Sequence, residues 1–344
     1  MKAVCICGGG SLGHVIAGYL GAKGIDVNIL TRRPGEWSKE LAITTPDGNI
    51  LRSSPALITD DPGTAVENVG IILLCLPGYA IKGTLETIAP YVKEGTFVGS
   101  VFSSTGFFFE AMKIFGDNIP LWGFQRVPFI ARTKEYGKSA NLLGYKNSYN
   151  IAVENCNCKE SFRSTIEEMF DRSVTLLKSH YEASFTNSNP ILHPARLYSL
   201  FADWNKDIYY DHRFLFYEEW DNQASENLVA LDHELFMILD KLPVTPGYLA
   251  PILEYYESKD TDALTRKISS IKSFKGILAP MVNNGQGWQP DINSRYFQED
   301  FHYGLRYIYE TAHRLNIKVP VTDRIYNWGA SLIREYTNPA QQGM

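Results

Sequence analysis

The tightest constraint on this chain lies within its first 17 residues. Ala3-Val4-Cys5-Ile6-Cys7 reads as a short buried strand, and Gly8-Gly9-Gly10-Ser11-Leu12-Gly13 follows it before an apolar run from His14 to Ala17. A G-x-G-x-x-G pattern that leaves a strand and enters a helix has a physical use for each glycine. Gly8 permits a tight turn, Gly10 lets the backbone approach a pyrophosphate, and Gly13 lets helix and strand pack closely. The helix N-terminus, opening with Ser11 and Leu12, then presents unpaired N–H groups to phosphates. The expectation is a dinucleotide held at Gly8, Gly10, Ser11, Leu12 and Gly13.

The segments that follow fit such a site. Strand-like runs at residues 27–30, 70–76, 96–102 and 120–123 alternate with helical patterns up to about residue 178. That alternation predicts an α/β domain, a Rossmann-type doubly wound, mainly parallel sheet covered on both faces. Between Ala42 and Leu57, Thr44-Thr45-Pro46-Asp47-Gly48-Asn49 separates two β-prone pieces and predicts a hairpin. After His180 the texture changes. Ser184-Phe185-Thr186-Asn187-Ser188-Asn189-Pro190 reads as a polar linker, and stripes of helical period take over. One runs through Leu228, Leu231, Leu235, Leu239 and Leu242, another through Phe301, Leu305, Ile308, Ala312 and Leu315, a third through Ile325, Trp328, Leu332 and Tyr336. They predict an all-helical C-terminal domain. The division expected is a dinucleotide-binding domain over residues 1–183 and a helical substrate domain over 184–344, with a loose tail at 338–344.

Composition excludes several classes. At about 100–200 residues per domain, 344 residues with 44% hydrophobic side chains can fill two cores. The 33 Lys and Arg against 38 Asp and Glu leave a net charge of −5 with no long run of either sign, which argues against nucleic acid or an anionic membrane as partner. The apolar run at 69–76 is far short of the roughly 20 residues a membrane helix needs, and glycines break residues 1–22 too often for a signal peptide. Five cysteines, two of them in the first strand, make no disulfide framework, so a reducing cytoplasm is expected. No metal site is expected.

The end of the second strand separates NAD from NADP. An NAD site places Asp or Glu about 20 residues after the glycines, and Thr31 stands there instead. Thr31 offers a hydroxyl, while Arg32 and Arg33 offer forked donors suited to a 2′-phosphate. NADP is therefore the expected cofactor, with NAD as the alternative. Leu76, Pro77 and Gly78 end the next strand at the sheet edge where such ligands bind, so Leu76 and Pro77 are expected to border the cofactor. The alternative is a plain strand-ending turn, and the same pair of readings covers Ser103, Ser104 and Thr105.

Hydride transfer usually needs a proton donor or acceptor and a cation for the substrate's carboxylate. Of the seven histidines, most sit in charged helical stretches and are expected to be solvated. His193 differs. It lies in Asn189-Pro190-Ile191-Leu192-His193-Pro194-Ala195, just after the linker and at the start of a helix, facing the expected cleft between domains. A histidine there can act as general acid or base near neutral pH; a capping or buried structural histidine is the alternative.

Asn189-Pro190-Ile191-Leu192-His193-Pro194 resembles the N-x-x-x-H-P motif of the octopine/nopaline dehydrogenase family, whose members carry a Rossmann domain followed by a helical domain. Arg295-Tyr296-Phe297-Gln298-Glu299-Asp300, followed by Tyr303-Gly304-Leu305, is similar to a second family element. With the glycine pattern, the Leu74-Cys75-Leu76-Pro77 turn and Trp122-Gly123-Phe124-Gln125-Arg126-Val127-Pro128, the resemblance spans residues 1 to about 320. It implies that His193 relays the proton, that Asp300 orients the imidazole, that Arg295 binds the carboxylate of a keto acid, and that Gln125 lies near the substrate. It also picks out Arg132, for which a structural ion pair is an equal reading. A carboxylate partner would hold His193 in one tautomer, and Gly304 would admit a close neighbour to the helix of Asp300. Two places depart from the family pattern. Leu143-Gly144-Tyr145-Lys146 replaces a Gly-Thr-Lys, and residues 204–220 are unusually aromatic, read mostly as helix core and partly as a pocket wall.

The resemblance implies an NADP-dependent opine-type dehydrogenase that condenses a 2-keto acid with an amino acid or amine and reduces the imine, or runs in reverse. Two rivals stand beside it: a 2-keto acid reductase of the ketopantoate reductase type, and a non-catalytic NADP-binding sensor. The partners implied are small molecules, and a homodimer is compatible with the sequence.

Overall fold

Successive side chains of a strand point to opposite faces, and the first strand already separates two cores. The computed structural model describes residues 3–336; the tail expected to be loose, 338–344, lies outside them. In β1 (Ala3–Cys7), Val4 and Ile6 enter one apolar cluster while Cys5 and Cys7 enter another. A strand buried on both sides is central to a sheet with layers above and below. The chain divides into two compact units, Met1–Thr186 and Asn187–Met344.

In the first unit β1 is followed by α1 (Ser11–Ala22), β2 (Val27–Leu30), β3 (Leu41–Thr44), β4 (Ile50–Ser53), β5 (Leu57–Thr59), α2 (Pro62–Val66) and β6 (Val69–Leu74). Then come α3 (Gly78–Ile88), β7 (Phe97–Ser100), α4 (Phe107–Phe115), β8 (Leu121–Phe124), β9 (Phe129–Glu135) and β10 (Ser139–Tyr145). The unit closes with β11 (Ser148–Glu154), α5 (Lys159–Phe170), β12 (Ser173–Leu176) and α6 (His180–Ser184). Eight strands form the main sheet in the order β12-β11-β8-β7-β6-β1-β2-β5. All neighbours are parallel except β8 and β11. The order reverses at β1, which places the Gly8–Gly13 loop at the switch point where ligands of open α/β sheets bind.

The hairpin expected between Ala42 and Leu57 is β3–β4, turned at Thr45 to Asn49 with Gly48 at φ 85°. It does not stand alone. β10 pairs with β3 in parallel and with β9 in antiparallel fashion, giving a second, four-stranded sheet β4-β3-β10-β9. Its inward side chains Leu41, Ile43, Ala140 and Leu142 join Val15, Ile16 and Leu20 of α1 in one core. The strands β6 and β7 stop two residues before the apolar runs 70–76 and 96–102 do, because the chain there turns out of the ladder into the loops at the sheet edge.

The second unit contains α7 (Asn189–Phe201), α8 (Asn222–Leu239), α9 (Ile252–Tyr255), α10 (Thr261–Ser270), α11 (Arg295–Asp300), α12 (Arg306–Arg314) and α13 (Pro320–Tyr336). It is helical, as expected, with one addition: a two-stranded ribbon of β13 (Met281–Asn283) and β14 (Trp288–Pro290). Residues 204–220, expected mostly as helix core, form no helix; they run irregularly between α7 and α8 with single bridges Tyr210 to Trp288 and Leu215 to Leu278. Between α11 and α12 the helix widens into a π-turn at Phe301–Leu305. Glu234 of α8 accepts the N–H groups of Val321 and Thr322, satisfying orphan donors in the first turn of α13.

Asp232, also on α8, accepts the N–H of Ile252 at 2.9 Å and is buried. Burial raises its carboxyl to about 6. A folded-state value above the unfolded one, about 3.9, means its contribution is fully present below about pH 4 and is lost as pH rises through about 6. That difference corresponds to about 3 kcal/mol at most. The Asp232→Asn variant keeps an acceptor for Ile252 and should therefore be more stable than wild type at pH 8 and equal to it at pH 4, as read from urea midpoints.

Among the described residues, no helix is long and apolar enough to cross a membrane. Cys5, Cys7 and Cys75 are buried free thiols. Cys156 and Cys158 are joined in a disulfide. Two residues apart after β11, they are neighbours by sequence alone and close no larger loop of the fold.

Candidate active site

The glycine loop has the shape its pattern calls for. Gly8 sits at φ 121°, and a Cβ there would lie 2.7 Å from the carbonyl of Cys75 and 2.8 Å from Leu76 Cδ2, so the loop packs directly on the turn after β6. At Gly13 a Cβ would lie 2.0 Å from the carbonyl of Gly8, which fixes how closely α1 meets the strand. Gly10 is different. It is the extended residue that opens α1, and nothing lies within 4 Å of where its Cβ would be. Open space against the N-terminus of a 12-residue helix fits a pyrophosphate. Leu76 borders Gly8, and Pro77 is the extended residue that starts α3. The hydroxyl of Ser11 is turned to β9, meeting Thr133 Oγ1 at 3.1 Å and accepting the Thr133 N–H at 3.0 Å; only its backbone N–H and that of Leu12 remain to address a phosphate.

Thr31, just past β2, is buried, with Oγ1 3.3 Å from the hydroxyl of Tyr136. Arg32 and Arg33 are exposed; the Arg33 guanidinium lies 4.0 Å over the Tyr136 ring and pairs with Glu36 at 3.0 Å. His14, at the start of the apolar run after the glycines, is not among the solvated histidines. It is fully buried, stacked 4.2 Å from Trp37, with Nδ1 3.0 Å from the Gly10 carbonyl and Nε2 accepting the Gly137 N–H at 2.7 Å. A backbone N–H can only donate, so Nε2 is unprotonated and Nδ1 carries the proton. Burial lowers the pKa of this imidazole, which keeps it neutral. His180 is buried as well, its Nδ1 3.0 Å from Glu154.

After the next strand, Ser103 and Thr105 turn inward to the carbonyls of Phe124 and Phe102. Gln125 follows β8. Its Nε2 donates to Thr186 Oγ1 at 2.9 Å and to the Glu182 carbonyl at 3.2 Å, and its Oε1 accepts from Asn150 at 3.0 Å. Both ends of this amide are engaged inside the first unit, so a substrate contact there would displace one of these bonds. Arg132 is exposed, and Tyr145 lies under the guanidinium of Arg172 at 4.5 Å.

In the second unit two distant segments meet at His193. Pro190 occupies the first turn of α7, where a missing N–H costs nothing, and His193 lies one turn further, buried. Its Nδ1 is 2.7 Å from Asp300 Oδ2 at the end of α11. Its Nε2 is 2.9 Å from the hydroxyl of Tyr217. The Tyr296 ring lies 4.5 Å from the imidazole and Phe216 stands edge-on at 5.6 Å. A carboxylate can only accept, so Nδ1 donates to Asp300 and leaves Nε2 as the nitrogen that exchanges protons. Burial, and then the neighbouring Tyr296, push the Tyr217 phenol well up, so it remains a protonated donor to Nε2. A Cβ on Gly304 would lie 2.8 Å from the Pro190 ring, so the α11–α12 segment rests against the start of the His193 helix. Arg295 is exposed at the first position of α11, next to Tyr296 and without a hydrogen-bond or ion-pair partner among the described residues.

Sequence reasoning passed over Arg196, three residues after His193. It is 1% exposed and donates from Nε to the Phe216 carbonyl at 2.9 Å, while its terminal nitrogens reach the Glu219 carbonyl and the Asp221 carboxylate. Two carbonyls that a helix would use internally are given to this guanidinium, which accounts for the irregular course of 204–220 and delivers Tyr217 to His193. The available signal was an arginine on the apolar face of a short helix, since a buried guanidinium must be paired. Among the described residues, no group of three or more His, Cys, Asp or Glu could hold a metal ion.

A switch-point glycine loop in one unit and an Asp–His pair in a helical unit define a two-unit dehydrogenase of the Rossmann class. The model for the α-helical domain of NAD/NADP octopine/nopaline dehydrogenases matches residues 176–333, and the model for ketopantoate reductase PanE/ApbA matches residues 4–103. Octopine dehydrogenase of Mizuhopecten yessoensis is 27% identical across 96% of this chain and 90% of its own length. Tauropine dehydrogenase of Arabella iricolor is 28% identical across 98% and 93%. A solved octopine dehydrogenase with NADH and L-arginine superposes with a TM-score of 0.83 at 26% identity, covering 97% of this chain and 90% of that one. These matches make the chain similar to the opine dehydrogenases along nearly its whole length and indicate an oxidoreductase acting on CH–NH donors.

Proposed function

We propose that this enzyme is an NADP-dependent opine-type dehydrogenase, joining a 2-keto acid to an amino acid or amine. The observation that carries the reading is the Asp300–His193 contact at 2.7 Å, which leaves Nε2 as the exchangeable nitrogen. The nucleotide would be held by the backbone of Gly8, Gly10, Ser11, Leu12 and Gly13, with Leu76 and Pro77 alongside, and when bound it supplies the hydride. NADP is favoured over NAD by Thr31 in place of a carboxylate and by the exposed guanidinium groups of Arg32 and Arg33. Exposed Arg295 would take the keto acid's carboxylate through its two parallel N–H donors.

In the condensing direction the carbonyl oxygen must leave as water, and His193 in its imidazolium form, protonated at Nε2 as well as Nδ1 and with the Tyr217 hydroxyl turned from donor to acceptor or displaced, would give the Nε2 proton to that oxygen. Asp300 holds the ring in the required tautomer and offsets the charge that forms on it. The amine-binding side is supported by the solved relative that holds L-arginine.

The test is NADPH consumption with pyruvate or 2-oxoglutarate, with and without added amino acids. Turnover should require both the keto acid and the amine. Turnover that ignores the amine would instead identify a 2-keto acid reductase.

A further inference from the structure

The turn between β9 and β10 brings Tyr136 to the end of β2, a place the glycine pattern does not anticipate being filled from a second sheet. Its hydroxyl lies 3.3 Å from Thr31 Oγ1 and accepts from Trp37 Nε1 at 3.4 Å. A Cβ on Gly9 would lie 2.6 Å from the same oxygen, so the loop leaves room for this phenol on its flank. The turn is held in place. His14 Nε2 takes the Gly137 N–H at 2.7 Å, and the Gly137 carbonyl accepts from Ser38 N–H at 2.9 Å. The Arg33 guanidinium lies over the ring, 4.0 Å from its centroid. Stacking fixes the plane of a guanidinium and leaves its N–H groups directed outward along that plane. Glu36 occupies one edge of it in an exposed pair at 3.0 Å, a contact that a phosphate can replace at little cost.

In this fold the end of the second strand addresses the adenosine ribose, where a carboxylate selects the free 2′-hydroxyl. Here two hydroxyls and a braced cation stand in that position, a set that donates rather than accepts. We propose that Tyr136 is a specificity-determining residue for the adenosine 2′-phosphate. Its hydroxyl, beside that of Thr31, donates to the phosphate, and its ring holds Arg33 as the phosphate's counter-charge. The inference rests on the NADP reading and extends it to a residue outside the first two strands.

The test is direct titration of the full chain with NADPH and with NADH, followed by nucleotide fluorescence, for wild type, Tyr136→Phe and Tyr136→Ala. Wild type should bind NADPH more tightly. Tyr136→Phe, which keeps the ring and hence the stacking, should weaken NADPH about three- to tenfold and NADH less, the loss expected for one hydrogen bond. Tyr136→Ala should lower the NADPH-to-NADH affinity ratio by about tenfold or more, as both the bond and the brace are lost. A wild type that prefers NADPH, with ratios unchanged in both variants, overturns the role of Tyr136 alone. A wild type that prefers NADH overturns the NADP reading itself. Should Tyr136→Ala fail to fold, the ratio in Tyr136→Phe decides.

Discussion

Replacing His193 by alanine should lower kcat by about 10²–10⁴-fold, the range of general acid–base catalysis, and leave NADPH affinity unchanged. The residues proposed to hold the nucleotide belong to the first unit and His193, the proposed proton carrier, to the second. Asp300→Asn should fall in the same range, because the amide has no charge to offset an imidazolium and can present a donor to Nδ1. Residues that act as a unit do not add, and the double variant should lose no more than about the worse of the two single variants. Steady-state rates and fluorescence titration on the same preparations read both quantities. Undiminished turnover in His193→Ala would leave a nucleotide-binding protein whose chemistry lies elsewhere; a fall in NADPH affinity parallel to that in kcat would point to a collapsed structure.

The second large effect belongs to a residue that touches no reacting atom. Arg196→Met removes the donors that hold Phe216, Glu219 and Asp221, leaving the buried Phe216 carbonyl unsatisfied in a segment with no regular structure of its own. Losing a hydrogen-bonded buried cation costs about 3–5 kcal/mol when its partner is also buried. Asp221 is half exposed, which brings the expected loss to about 2–4 kcal/mol. Thermal unfolding measures it. Lysine should not rescue, since one ammonium cannot span two carbonyls and a carboxylate as the fork does. Because Tyr217 is placed by the same segment, kcat should fall at temperatures where the variant is still folded.

The nucleotide half was legible because its signals are local: a glycine pattern, a strand before it and a helix after it all fall within the first 22 residues. The Thr45–Asn49 turn was visible for the same reason, but its place in a four-stranded sheet was not, since β3 pairs with β10 nearly a hundred residues on. The Asp300–His193 pair was reachable through the family motifs alone; periodicity says nothing about two segments 107 residues apart. The settings of Tyr217, in a stretch that reads mostly as helix core and partly as pocket wall, and of His14 are not visible in the sequence, because the groups that define them come from elsewhere in the chain. For His14 these are Trp37 and the Gly137 N–H, and for Tyr217 they are His193 and the carbonyls tied to Arg196.

The widened turn at Phe301–Leu305 sits directly between Asp300 and the helix that anchors the rest of α12. A π-turn is an α-helix with one residue inserted, so the two flanking helices are out of phase by about 100°. α11 can aim Asp300 at His193 while α12 buries Tyr307, Ile308 and Thr311, a combination that one uninterrupted helix would not permit. What this turn protects is therefore a count. Its side chains can be exchanged for others of similar bulk, but removing a single residue would rephase the helix and swing the carboxylate off its histidine.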